Sequence, residues 1–189
     1  TPLHGTIRIQ GSKNAALPMM AAALLYPGIS VLRNCPRIAD VFCMEEILGT
    51  LGADTWWQEH DLYLDCTKVE KTEISAFYTE KMRSSVILLG VLLGRVGRVS
   101  MGYPGGCVIG KRPVDLHLYA LQKFGAKVEE CTEKLEAVCE KLHGTEIFFT
   151  GKSVGATEQA VLTAVSASGK TRIYNCAKEP EIIWLCRFL

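Results

Sequence analysis

Read for its apolar and polar positions, the chain shows one order of events three times. The first passage runs from GSKNAALPMMAAALL through GISVLRN to RIADVFCMEEILGTLGAD. The second runs from EKMRSSVILLGVLLG through GRVSMGY to RPVDLHLYALQKFGAKV, and the third from SVGATEQAVLTAVSASG through KTRIYNC to EPEIIWLCRFL. Each opens on small or polar residues and continues as an apolar helix. A glycine-bounded strand and a turn marked by Pro or Asp then lead into a second helix. The first helices, at about 14–25, 80–93 and 155–166, are apolar nearly all round, which predicts burial. The second helices, such as 115–124, carry a one-sided apolar stripe with charges opposite. Gly52-Ala53 and Gly125-Ala126 close two of them, as a C-terminal glycine cap would.

After those pairs, DTWWQE, DLYLDC and KVEECT alternate with the period of a strand. The pattern therefore predicts an α/β fold of repeated β-α-β-α-β-β units, about 70 residues each, with first helices inward and sheets outward. The units fall at about 1–78, 79–150 and 151–189 of a single domain. The third stops at Leu189, inside its second helix, so its helix at 181–189 is expected to be the least stably packed. The chain opens at Thr1 rather than Met, and an upstream segment is expected to have been removed.

Composition narrows the function classes. The 189 residues are 48% hydrophobic and 22% charged, a globular balance. Lys plus Arg number 21 against 20 Asp plus Glu, so nothing supports general nucleic-acid binding, and any anion recognition must be local. The longest apolar run, 15–26, contains Pro18 and is too short to span a bilayer, so no membrane partner is expected. Eight cysteines without a C-x-x-C pair argue against a zinc or iron–sulfur framework. Most lie in apolar patterns that read as buried thiols of a reduced, cytoplasmic protein.

Candidate chemistry gathers at the openings of the first helices. Lys13 and Asn14 open the first, Arg83 lies near the start of the second, and Ser153, Gly155 and Thr157 open the third. Helix N-termini present unpaired N–H groups and favour phosphate or carboxylate. The plainer reading is that Ser12, Asn14 and Ser153 cap their own helices, and one residue can do both. In GYPGGCVIGKRPVDLHL, Cys107 follows two glycines and precedes Lys111 and Arg112. It reads either as a cysteine in a turn or as a thiol activated by cations. Asp115 and His117 read as first-turn polar residues. Glu179 and Glu181 flank Pro180 at a helix start and read as partners of its dipole. No nucleophile elbow and no G-x-x-x-x-G-K-[ST] loop occurs.

GSKNAALPMMAAALL, PGGCVIGKRPVDLHL, SVGATEQAVLTAV and NCAKEPEI resemble the bacterial UDP-N-acetylglucosamine enolpyruvyl transferases across essentially the whole chain. The P-G-G-C-x-I-G-x-R-P-x-D-L-H string separates them from the related enolpyruvylshikimate-phosphate synthases. The resemblance implies an inside-out α/β barrel of the enolpyruvyl transferase type. It implies transfer of enolpyruvyl from phosphoenolpyruvate to a hydroxyl of UDP-N-acetylglucosamine, in peptidoglycan precursor synthesis, with no metal or cofactor. It assigns Lys13 and Asn14 to phosphoenolpyruvate and Arg83 to the substrate site. Cys107 becomes the proton donor and the residue that fosfomycin alkylates. Arg112, Pro113, Val114, Asp115 and Leu116 line the nucleotide-sugar site, as do Lys152, Ser153 and Val154.

Family members are about twice as long, with a second domain that supplies an Asp base and further arginines. Trp184 and Arg187 stand where Asp and Asn are usual. The chain alone is therefore expected to be inactive without a partner second domain. The alternative is a non-catalytic nucleotide-sugar binding domain or degraded paralogue.

Overall fold

The computed structural model describes residues 2, 4–7, 9–105 and 113–189. Its elements run α1 (Lys13–Ala23), β1 (Ile29–Leu32), α2 (Ala39–Leu51), β2 (Asp54–Gln58), β3 (Asp61–Asp65), β4 (Glu73–Ile74) and α3 (Ala76–Lys81). A 3-10 turn (Arg83–Ile87) leads into α4 (Leu88–Val96), β5 (Arg98–Gly102), α5 (Asp115–Lys123), β6 (Lys127–Glu130) and β7 (Lys134–Val138). The chain ends with β8 (Glu146–Phe148), α6 (Val154–Ser166), β9 (Arg172–Tyr174) and α7 (Pro180–Phe188).

The strands form three separate sheets, β1-β3-β2, β4-β5-β7-β6 and β8-β9, and no closed barrel forms among the described residues. β4 and β8 pair in parallel with β5 and β9; the other pairs are antiparallel. Repetition is visible in the pairing: β1 lies against β3 (Val31 opposite Tyr63) as β5 lies against β7 (Met101 opposite Leu135). Each short lead strand, β4 or β8, joins the sheet of the helices that follow it. The fold is α/β in repeated units. β7 shows the expected facing, alternating exposed and buried along Lys134–Val138.

The first helices are inward. Every residue of 88–93 in α4 is buried, as are Ala156–Ala160 in α6 and most of α1. α4 and α6 approach closely because glycine stands where they cross. A Cβ at Gly90 would collide with Thr163 Oγ1, and one at Gly94 with Ser166 Oγ. The predicted glycine caps are present: Gly52 ends α2 at φ 106° with Ala53 N–H donating to Leu48 O (3.0 Å). Gly125 follows α5 at φ 97°, and Ala126 N–H donates to Leu121 O (3.1 Å).

Two expectations are corrected. The helix predicted over 80–93 is not continuous: α3 stops at Lys81, Met82 is extended (φ −132°, ψ 98°), and a 3-10 turn precedes α4. Met82 is buried, and its carbonyl accepts both the Ser85 backbone N–H (3.1 Å) and the Ser85 hydroxyl (2.7 Å), closing a tighter turn in place of the α-helical bond. Nor are most cysteines buried: of the seven described, only Cys35 and Cys66 are, while Cys131 and Cys186 are exposed. Cys131 sits in the β6–β7 hairpin turn and Cys186 on the outer side of α7, positions that local apolar pattern does not separate from core. α7 packs through Ile182 and Leu185, leaving Ile183, Trp184 and Phe188 outside, where the Arg187 guanidinium stacks on Trp184 at 5.1 Å.

Candidate functional site

Because the first helices are buried side by side, their opening turns meet. Between them lies a cleft of about 540 Å³. α1 contributes Asn14, Leu17 and Pro18, and the 3-10 turn contributes Arg83 and Ser84. The entry to α5 brings Pro113 and His117, the start of α6 brings Ser153, Val154, Gly155 and Glu158, and α7 brings Glu181.

The break at Met82 sets Arg83 at the head of the 3-10 turn, where Nη2 donates to Pro113 O at 3.0 Å. Asn14 Nδ2 donates to Glu181 Oε1 at 3.4 Å, tying α1 to α7. Of the three proposed caps only Ser153 acts as one, its Oγ accepting from Ala156 N–H at 3.3 Å; Ser12 makes no capping bond. Thr157 Oγ1 donates to Ser153 O (2.7 Å) and accepts from Ala177 N–H (3.0 Å), fixing the loop after β9 against α6.

His117, in the first turn of α5 as expected, is a buried wall residue of the cleft. Gln159 Nε2 donates to His117 O (3.2 Å), so its Oε1 is the acceptor for His117 Nδ1–H (2.8 Å). That tautomer leaves Nε2 as an acceptor beside Gly155, where a Cβ would stand 3.3 Å from it. Burial pushes His117 down to about 4 against the opposing Gln159 bond, with Arg83 lowering it further and Asp115 raising it, so the ring is neutral near pH 7. Glu158 is 7% exposed, and burial, then the Glu181 carboxylate, push it up to about 7.

Of the residues that the resemblance assigned to substrate, Asn14, Arg83, Pro113, Ser153 and Val154 line this cleft, and so do His117, Gly155 and Glu181 from the reading of the helix starts. Lys13 does not: its Nζ pairs with Asp40 at 3.4 Å. Val114 is buried beneath the entry to α5, Asp115 opens that helix, Leu116 is half-buried and Lys152 is exposed. Cys107 and Arg112 lie outside the described residues. Glu158 and Gln159 were not foreseen. The available signal was a charged and an amide residue side by side in a helix that is otherwise apolar nearly all round, since buried polar groups need a stated partner.

Inward helices, outward sheets and a cleft where helix starts converge define an enolpyruvyl transferase fold. The enolpyruvyl transferase NikO from Streptomyces tendae superposes with a TM-score of 0.82 at 18% identity, covering 98% of this chain and 44% of that one. EPSP synthase from Acinetobacter baumannii gives 0.77 at 14% identity, covering 95% of this chain and 42% of that one. The chain belongs to the EPSP synthase (3-phosphoshikimate 1-carboxyvinyltransferase) family, whose model matches residues 1–189. Within that family it is similar to proteins named UDP-N-acetylglucosamine 1-carboxyvinyltransferase. The one numbered 1 in Symbiobacterium thermophilum is 47% identical over 99% of this chain and 44% of its own length. That of Wolbachia pipientis subsp. Culex pipiens is 44% identical over 100% of this chain and 46% of its own. The chain thus spans under half the length of these relatives.

Proposed function

We propose that this chain forms one wall of a site that transfers enolpyruvyl from phosphoenolpyruvate to a hydroxyl of UDP-N-acetylglucosamine, for peptidoglycan precursor synthesis in the cytoplasm. The observation that supports it is the single cleft. Five residues assigned to substrate by resemblance, from four separate stretches of sequence, line one space at helix starts suited to anions. No helix among the described residues is long and apolar enough to cross a membrane.

In this reading the hydroxyl oxygen bonds to the enol carbon while Cys107 delivers a proton to the methylene. The bond to phosphate then breaks, and loss of a methyl proton restores the double bond. The same reading makes Cys107 the thiol that fosfomycin would alkylate. Arg83 and Arg112 supply fixed charge for the anionic groups. The base for the hydroxyl belongs to a partner second domain, so the chain alone binds without turning over.

A phosphate-release assay of the chain, with and without a separately produced second domain from a relative, tests this. Turnover only in the mixture is expected. Nucleotide-sugar binding with no turnover in either would favour the non-catalytic binding domain. No binding at all would remove both readings.

A further inference from the structure

We propose that Glu158 is a proton-loading residue of the cleft: where it is still ionised, occupancy of the cleft by a phosphorylated ligand makes it take up a proton from solvent and present a carboxylic acid rather than a carboxylate. This rests on the reading above, that the ligand is the anionic nucleotide sugar. It concerns a residue to which that reading gives no role.

The argument begins with position. Glu158 lies one turn into α6, four residues after Val154, so its carboxyl shares a helix face with the loop that opens the helix. It is 7% exposed and lines the cleft, and what shifts it is burial and the Glu181 charge rather than a hydrogen bond. Burial and the Glu181 carboxylate oppose its ionisation, while Arg83 is the one cation among the described groups that line the cleft with it. From α7, Glu181 is a second carboxylate, itself engaged by Asn14 of α1. From α5, His117 is neutral and Asp115 is acidic. The 3-10 turn brings Arg83, whose guanidinium donates to Pro113 O. α4 carries no charge before Arg95, which binds backbone carbonyls at its far end.

A buried carboxyl beside a carboxylate is already poised near neutrality, as the value of about 7 indicates. A diphosphate at the α6 opening would add further negative charge about one helical turn away. Two consequences follow. The acid form removes a repulsion that would otherwise expel the ligand, and its O–H becomes a donor where a carboxylate could only accept. A proton is therefore taken up on binding, and affinity falls as pH rises above the free-state value.

The test titrates the wild-type chain and Glu158→Gln with UDP-N-acetylglucosamine from about pH 6 to about pH 8.5, a range over which its diphosphate does not change charge. Amide signals of Ser153, Val154 and Gly155 report binding by NMR, and carbon-13 shifts report the Glu158 carboxyl directly. The expected wild-type Kd rises above about pH 7, approaching tenfold per pH unit, with the carboxyl at its protonated shift in the saturated complex. The amide of Glu158→Gln mimics the acid, and its Kd should be flat over the same range. An ionised Glu158 in the saturated complex, or an equal slope in Glu158→Gln, overturns the proposal while leaving nucleotide-sugar binding intact. Absence of binding at every pH overturns the nucleotide-sugar reading, and this inference with it.

Discussion

Replacing Arg95 with Met should loosen the joint between the first and second units. The guanidinium, at the last turn of α4, donates from Nη1 to Leu24 O (2.8 Å), from Nη2 to Cys66 O (2.6 Å) and from Nε to Val69 O (3.3 Å). Leu24 is the C-cap of α1, so one bond satisfies a helix-end carbonyl and places positive charge at the negative pole of its dipole. The other two hold the connection from β3 to β4. Met keeps the aliphatic stem and removes all three donors. Hydrogen bonds from a charged donor contribute roughly 1.5–3 kcal/mol each when buried. Arg95 is half-buried, and water replaces part of what is lost, so the expected cost is about 2–4 kcal/mol. With a urea slope of about 2 kcal/mol per molar, the unfolding midpoint should fall by roughly 1–2 M. Arg95→Lys keeps the charge but cannot reach three diverging carbonyls from one nitrogen, and about half the loss should remain. A midpoint shift below about 0.3 M at unchanged slope, or full rescue by Lys, would refute this account of the joint.

Gly90→Ala should destabilise by about 1–3 kcal/mol despite the better helix propensity of alanine, because its Cβ meets Thr163 Oγ1. Adding Thr163→Ala should recover part of that loss, measured as a coupling in urea titrations. His117 titrates at about 4 when folded and near 6.5 when unfolded, so the unfolded state binds the extra proton. Stability should therefore fall by about 3 kcal/mol as pH drops from about 6.5 to about 4. Glu158 works in the opposite sense: its raised value contributes stability present below about 4.5 and lost as pH rises to about 7. The two slopes oppose each other between about pH 4.5 and about 6.5, and Glu158→Gln should expose the His117 slope in thermal melts across that window. Under mild alkylation and peptide mapping, Cys107 should label first and Cys35 and Cys66 last, since burial pushes the latter two to about 12 and about 11. Faster labelling at exposed Cys131 or Cys186 would show that the cations at 111 and 112 do not activate Cys107.

The repeat was legible because it rests on local rules. An apolar helix, a glycine-bounded strand and a Gly-Ala stop each leave a mark within a few residues, and the left-handed Gly52 and Gly125 lie where that mark put them. The lead strands β4 and β8 leave almost none, being two and three residues long, too short for alternation to register. Their strand character comes from parallel pairing with β5 and β9, which is tertiary. The break at Met82 was hidden for the same reason: MRSSVILL is as apolar as a helix requires, and the choice is made by burial of Met82 and the Ser85 bond. In the cleft, motif residues could be found singly. Neither His117–Gln159 nor Asn14–Glu181 could be paired, because 42 and 167 residues separate the partners.

Charge accounting gives the cleft its last constraint. Among its described lining residues the only cation is Arg83, against the two carboxyls Glu158 and Glu181. Of the other cations expected there, Lys13 is held by Asp40 on α2, Lys152 is exposed and not part of this lining, and Arg112 lies outside the described residues. With both carboxyls ionised this wall carries a net negative side-chain charge, and the opening of α6 offsets only about half a charge. A diphosphate would then be attracted only with Lys111 and Arg112 close by, or with Glu158 neutral. Half a site also leaves the ligand largely in water, so UDP-N-acetylglucosamine should bind this chain with a Kd of about a millimolar, roughly −4 kcal/mol. Arg112→Ala should weaken binding further at about 0.02 M salt, and the difference from wild type should shrink at about 0.3 M, where exposed charges are screened beyond a few ångströms. Calorimetry that found micromolar binding indifferent to salt and to Arg112→Ala would mean that the nucleotide sugar does not use this cleft.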